Sequence, residues 1–242
     1  ILAEGMADTF DSLAAIKKYV FDEKRLDMPT LLAALDADYD GYPDVYKLLC
    51  DNPDRFGNDI DWVDELAGYV AGHFMRHLLT LHTYRGGVYG GGCSPFNRAA
   101  NNGRHTAALP NGRKKGDPLF ADSIGALPGA DTHGPTALLK SVLHYDQTEV
   151  TSGFVLNLKF DKALFATDKG KNGFVGLVKT YFAYGGQQVQ VNVLDKDELI
   201  DAQLNPDAHR DLIVRVGGYS DYFNNLTRDL QNNVIARTGH KL

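Results

Sequence analysis

The sequence predicts an α/β fold with mainly parallel strands, preceded by a run of helices. Three features of the chain point there. The first third carries apolar residues at helical spacing, and from residue 135 onward helical and strand-like segments alternate. Between them, residues 85–136 are rich in glycine and proline and follow neither period. A loop of that length inside a compact unit is unusual and often functional.

In ADTFDSLAAIKKYVFDEKRLD, Phe10, Leu13, Ile16 and Val20 recur at helical spacing, with Asp8 or Thr9 placed to cap. DMPTLLAALDADYDG predicts a short helix with Pro29 near its start and Gly41 beyond its end. PDVYKLLCDNPD predicts a third, stopped by Asn52-Pro53. DIDWVDELAGYVAGHFMRHLLTLHTY predicts the longest helix, with Trp62, Leu66, Val70, Phe74, Leu78 and Leu81 as its apolar positions. Beyond the glycine-rich stretch the pattern predicts helix 135–144, strand 153–160, helix 172–184 and strand 187–193. Helix 195–203, strand 211–216 and a last amphipathic helix over roughly 222–237 follow. The chain thus divides into a helical segment, 1–84, and a strand-bearing segment, 85–242.

Bulk properties narrow the classes of function. A chain of 242 residues with 43% apolar and 23% charged residues can bury a sizeable core. Its net charge of −6, with no basic stripe, argues against nucleic acid as a partner. No apolar run approaches a membrane span and no signal peptide is visible, so no membrane partner is expected. Two cysteines, Cys50 and Cys93, make neither a disulfide framework nor a four-thiolate metal site. A cytoplasmic location is the expectation. The opening at Ile1 rather than Met points to a fragment or a processed piece.

Several motifs favour their plain readings. DADYDG, residues 36–41, begins like a calcium loop, but Lys47 stands at position twelve where a bidentate carboxylate is needed, and Pro43 disturbs the loop. It reads as a solvated acidic helix end. His73 and His77 sit four apart on the long helix, without the Glu of a HExxH pattern or a third ligand by spacing, and read as surface histidines. GGVYGGGCSPF lacks both phosphate-loop patterns, Cys93 has no nearby histidine, and GRKK at 112–115 reads as a solvated loop. No metal ligand set emerges.

LIVRVGGYSDYF, residues 212–223, is different. Its Gly217-Gly218 pair follows a buried-looking strand and admits a turn with positive φ. Glycine has a second property. Its Cα can lose a hydrogen and become planar with no Cβ to press on its neighbours, and the radical is shared between amide nitrogen and carbonyl.

VRVGGYSDYFNNLTRDLQNNVIART resembles the C-terminal signature of the glycyl radical enzymes, in which RV-x-GY-[SA] contains the radical residue. Arg215, Val216, Gly218, Tyr219 and Ser220 match that pattern. Gly217 occupies the variable small position, so the resemblance implies that Gly218 is the radical site, supported by its neighbours. Upstream, GRHTAALPNGRKKGDPLFADSIGALPGADTHGPTA is similar to the family's TxALPDGRxAGxPLADGxSPxxGxDxxGPTA segment. TSGFVLNLKF and GGQQVQVNVLDKDELIDAQLNPDAHRDLIVRV match in order, so the likeness runs from about Thr9 onward. GPTALLKSV, TSGFVLNLKF and GGQQVQVNVLD look more like the eliminating dehydratase, decarboxylase and lyase branch than like pyruvate formate-lyase.

The resemblance implies the C-terminal part of a ten-stranded α/β barrel with N-terminal helices, and a glycine radical domain over about 195–242. It implies an organic radical on Gly218 installed by a separate iron–sulfur activase that uses S-adenosylmethionine, with no cofactor or metal bound by this chain. An anaerobic microbe is the implied source. One departure stands out. The family's thiyl cysteine lies in a Gly-Cys-x-Glu loop, which this chain lacks, and neither Cys50 in LLCDNP nor Cys93 in GGCSPF matches it. The implied partners are therefore the activase and an N-terminal catalytic segment or chain carrying that cysteine, in a homo- or hetero-oligomer. The chain alone is expected to be inactive. The alternative is a stand-alone radical module that docks onto a partner enzyme and completes or repairs it. A radical-dead structural subunit is disfavoured by the intact glycine loop.

Overall fold

The computed structural model describes residues 1–93, 99–119, 124–216 and 219–236, and the backbone of 239–240. Helix α1, Met6–Ile16, opens after Gly5, whose φ of 73° suits a residue without a Cβ. Asp8 and Thr9 therefore lie inside the helix, not at its cap. The Thr9 hydroxyl donates back to Gly5 O at 2.9 Å, and buried Asp8 accepts from Asn111 Nδ2 at 2.7 Å. The helix continues as a wider π turn over Lys17–Asp22. In α2, Met28–Asp36, Asp27 caps by accepting from the Thr30 amide at 2.8 Å. Helix α3, Pro43–Cys50, has its proline in the first turn. Ala15, Tyr19, Leu31, Leu49 and Tyr39 form a small cluster among these three helices.

Helix α4, Asp61–Thr80, buries Val63, Ala67, Ala71, Met75 and Leu78. The larger residues Trp62, Leu66, Val70 and Phe74 are only partly buried at the margin of the core, and Leu81 is exposed. Small residues win the interior because neighbours approach closely. A Cβ on Gly68 would lie 2.6 Å from His144 O. Short α5, Ala99–Arg104, lies inside the glycine-rich stretch, and α6, Pro135–Val142, follows at its end. Within it, GRKK departs from its expected solvation, because Arg113 is buried and donates to the carbonyls of Gly103, Ala107 and Asp117.

Strand β1, Asn157–Phe160, helix α7, Asp168–Ala183, and strand β2, Gln190–Val193, make a parallel β-α-β unit. They match the expected strand–helix–strand order, with shorter strands. Leu158 pairs with Val191, and on its other side β1 pairs in parallel with β5, Gly239–His240. Parallel bridges Cys93–Phe154 and Leu2–Gly92 carry the array outward through two further segments. Leu156, Leu158 and Phe160 face the main core with Phe10, Phe56, Met75 and Tyr145. Phe174 of α7 meets Phe160 edge-on, the ring centroids being 5.3 Å apart.

After α8, Lys196–Leu204, the pattern departs from expectation. Strand β3, Ile213–Arg215, does not join the parallel array but pairs antiparallel with β4, Ser220–Tyr222. The helix expected over 222–237 is only α9, Arg228–Ala236. Tyr222 ends β4, and Phe223–Asn225 is a 3₁₀ turn. Phe223, Leu226 and Val234 keep helical spacing in sequence because all three fill one small core. No helix among the described residues is long and apolar enough to cross a membrane.

Candidate functional site

The hairpin of β3 and β4 carries the residues singled out from the sequence. Ile213 lies opposite Tyr222, Val214 opposite Asp221, and Arg215 opposite Ser220. The Val216 amide donates to Tyr219 O at 3.0 Å, one step closer to the tip. Gly217 and Gly218, which connect the two sides, lie outside the described residues. Arg215, Val216, Tyr219 and Ser220 are thus brought together at the hairpin end. Val214 and Val216 are buried against Leu199, Phe223 and Val234, whereas Tyr219 is exposed. This alternation orients the strand, apolar residues inward and Arg215 away from the small core.

Arg215 is tied through both its side chain and its main chain. Its Nε donates to Gln190 Oε1 at 2.6 Å and its guanidinium reaches Ser220 Oγ at 3.4 Å. Its amide donates to Asn192 Oδ1 at 2.9 Å, and its carbonyl accepts from Asn192 Nδ2 at 3.2 Å. Behind β2, buried Lys159 of β1 donates to Ile235 O in α9 at 3.3 Å. Gln190, Asn192 and Lys159 were not singled out from the sequence. Their signal was present, since buried-strand positions that alternate amides with valines need partners for those amides.

The two cysteines lie elsewhere. Cys93 belongs to the main core, and burial pushes its thiol up to about 12, which keeps it protonated at neutral pH. Cys50 lies beside Gly112 O at 3.8 Å and lines a cavity of about 560 Å³ with Arg55, Asn111 and Arg113. Neither residue is in the cluster that carries the hairpin. His73 and His77 are exposed with parallel rings 6.1 Å apart. Among the described residues no group of three or more His, Cys, Asp or Glu could hold a metal ion.

Residues 120–224 match the family described as glycine radical, and residues 1–100 match the one described as pyruvate formate lyase-like. The first of these spans the whole hairpin. The chain belongs to the glycyl radical enzymes. Enzymes of this family carry an organic radical on a glycine. The chain is 40% identical to trans-4-hydroxy-L-proline dehydratase of Clostridioides difficile over 97% of its own length and 29% of that protein. It is 38% identical to isethionate sulfite-lyase of Desulfovibrio desulfuricans, covering 98% of this chain and 28% of that one. Among solved structures, the glycerol-bound B12-independent glycerol dehydratase of Clostridium butyricum superposes with a TM-score of 0.92 at 39% identity. That likeness covers 98% of this chain and 30% of the dehydratase. The chain thus spans less than a third of the glycyl radical enzymes it matches.

Proposed function

We propose that this chain is the radical-bearing C-terminal portion or subunit of a glycyl radical lyase of the dehydratase or decarboxylase type, and that Gly218 stores the radical. The observation that carries this reading is the RVGGYS segment, whose flanking residues form a hairpin inside the stretch matched as glycine radical. The dehydratases and the lyase among its relatives support the reaction class. Loss of one hydrogen from Gly218 Cα leaves a planar carbon that bears no Cβ of its own. The activase supplies the S-adenosylmethionine chemistry for that step. The roles left to this chain are to hold the loop and to keep water from it.

The radical then passes to a cysteine that this chain does not supply. The place of Cys93 in the main core, and the absence of Cys50 from the cluster that carries the hairpin, support that division. We also infer that the parallel array from Leu2 through β2 is the C-terminal part of a ten-stranded barrel. The separate small core around Leu199 and Phe223 supports a radical domain over about 195–242.

The test is activation under strict anaerobiosis with activase, reductant and S-adenosylmethionine, and with the N-terminal portion present. An organic radical is expected by paramagnetic resonance, with its main hydrogen splitting lost on deuterated glycine. Gly218→Ala abolishes it, and Gly217→Ala is milder. Air then cuts the activated chain at Gly218. An air-exposed activated sample that stays full length, or is cut elsewhere, overturns the assignment.

A further inference from the structure

Strand β2 has two faces of different chemistry. Val191 packs toward the main core, whereas Gln190 and Asn192 point the other way and are each 6% exposed. Buried amides require hydrogen-bond partners, and both of these meet Arg215. Asn192 accepts from the Arg215 amide and donates to the Arg215 carbonyl. These are the two bonds a neighbouring strand would make, delivered here by a side chain. Gln190, one pleat earlier, accepts from Arg215 Nε.

Together the contacts fix both position and register. The main chain of Arg215 is tied at both its polar groups, so β3 cannot drift away from β2 without leaving a buried amide unpaired. A slip by one residue would turn the guanidinium away from Gln190 and expose Val214 and Val216. A slip by two would bring Ile213 or Gly217 opposite Gln190, and neither has a side-chain donor. Only Val216 separates the tied residue from the glycine pair, and its own amide is held by Tyr219.

We propose that Asn192 and Gln190 are positioning residues for the glycine loop, acting through Arg215 to fix the strand from which that loop runs. The functional half of this proposal rests on the reading of Gly218 as the radical site; the geometric half does not.

The experiment compares Asn192→Ala, Asn192→Asp and Gln190→Ala in the natural full-length polypeptide. Gln203→Ala serves as the control, since Gln203 makes a surface hydrogen bond to Asn232 at 2.8 Å in the same C-terminal region. Without activation, amide hydrogen exchange over residues 213–222 is expected to accelerate about tenfold in Asn192→Ala. Asn192→Asp, which keeps the size and the acceptor, gives a smaller acceleration, and Gln203→Ala gives none there. Exchange in α4 stays at the wild-type rate in every variant. Uniform acceleration along the chain, or an unchanged hairpin, overturns the proposal. After activation to equal radical content, cleavage by oxygen at Gly218 is expected about tenfold faster in Asn192→Ala, following the same loosening. An unchanged cleavage rate overturns the functional half. If the hairpin loosens as expected but the wild type never forms a radical, positioning by Asn192 stands and the assignment of Gly218 fails.

Discussion

Ser141 Oγ donates to Asp64 Oδ2 at 2.9 Å, while the other oxygen of this fully buried carboxyl has no partner among the described residues. Burial pushes the Asp64 carboxyl up to about 6, and the Ser141 hydrogen bond and nearby His144 only partly oppose it. A raised folded-state pKa means that the native chain holds this proton more tightly than the unfolded chain. The stability it contributes is full below the unfolded value of 3.8 and is lost as pH rises through about 6. Asp64→Asn is therefore expected to gain on the wild type between pH 4.5 and pH 7, by on the order of 2 kcal/mol. Urea unfolding of both proteins at the two pH values measures this, and a difference that does not change with pH contradicts it. Asp11 behaves in the same sense. Burial raises it to about 6 against the opposing Phe56 amide and Arg55.

Replacing Arg113 should unravel the segment around it. Its guanidinium donates to Gly103 O at 2.8 Å and Ala107 O at 2.9 Å, and to Asp117 O, with longer bonds to Thr106 and Pro118. A lysine ammonium cannot span that set of carbonyls. Arg113→Lys is expected to cost about 2–4 kcal/mol and to open residues 103–118 to protease. Unfolding curves together with limited proteolysis decide it.

Helix α7 offers a paired test of packing against propensity. Gly176 has nothing within 4 Å of the place a Cβ would occupy, so Gly176→Ala should stabilise by about 0.5–1 kcal/mol. At Gly170 the same methyl would lie 1.8 Å from Leu164 O, and Gly170→Ala should destabilise. Thermal unfolding of the two variants should shift in opposite directions.

Thiol labelling should distinguish the two cysteines. Cys93 is buried and its thiol is pushed up to about 12, so iodoacetamide should reach it only on unfolding. Cys50, partly exposed on its cavity, should label in the native state. Mass spectrometry of labelled peptides with and without denaturant reads both.

The helices of the first third were legible because their apolar spacing is regular and Pro29 marks the start of one of them. The inward face of α4 was less so, since close approach selects Ala67 and Ala71 over the bulkier Leu66 and Val70. The β-α-β unit was readable from Leu158, Phe160 and Val191, which alternate as a half-buried sheet requires. Strand β4 was not, because Ser-Asp-Tyr carries no apolar alternation and the spacing of Phe223, Leu226 and Val234 imitates a helix. Arg215, Val216, Tyr219 and Ser220 came from the motif, but the partners of Arg215 depend on contacts about twenty residues away in sequence, at Gln190 and Asn192. Local pattern carries no such information.

The parallel bridge between Leu2 and Gly92 has a practical consequence. Among the described residues, this is the bridge that Leu2 makes, and Ile1 and Leu2 are 53% and 37% exposed beside it. An extended, apolar segment with one side unpaired is a template for further strands. The 242 residues produced in isolation should self-associate through that edge, and sedimentation should show assemblies that a Leu2→Lys change disperses.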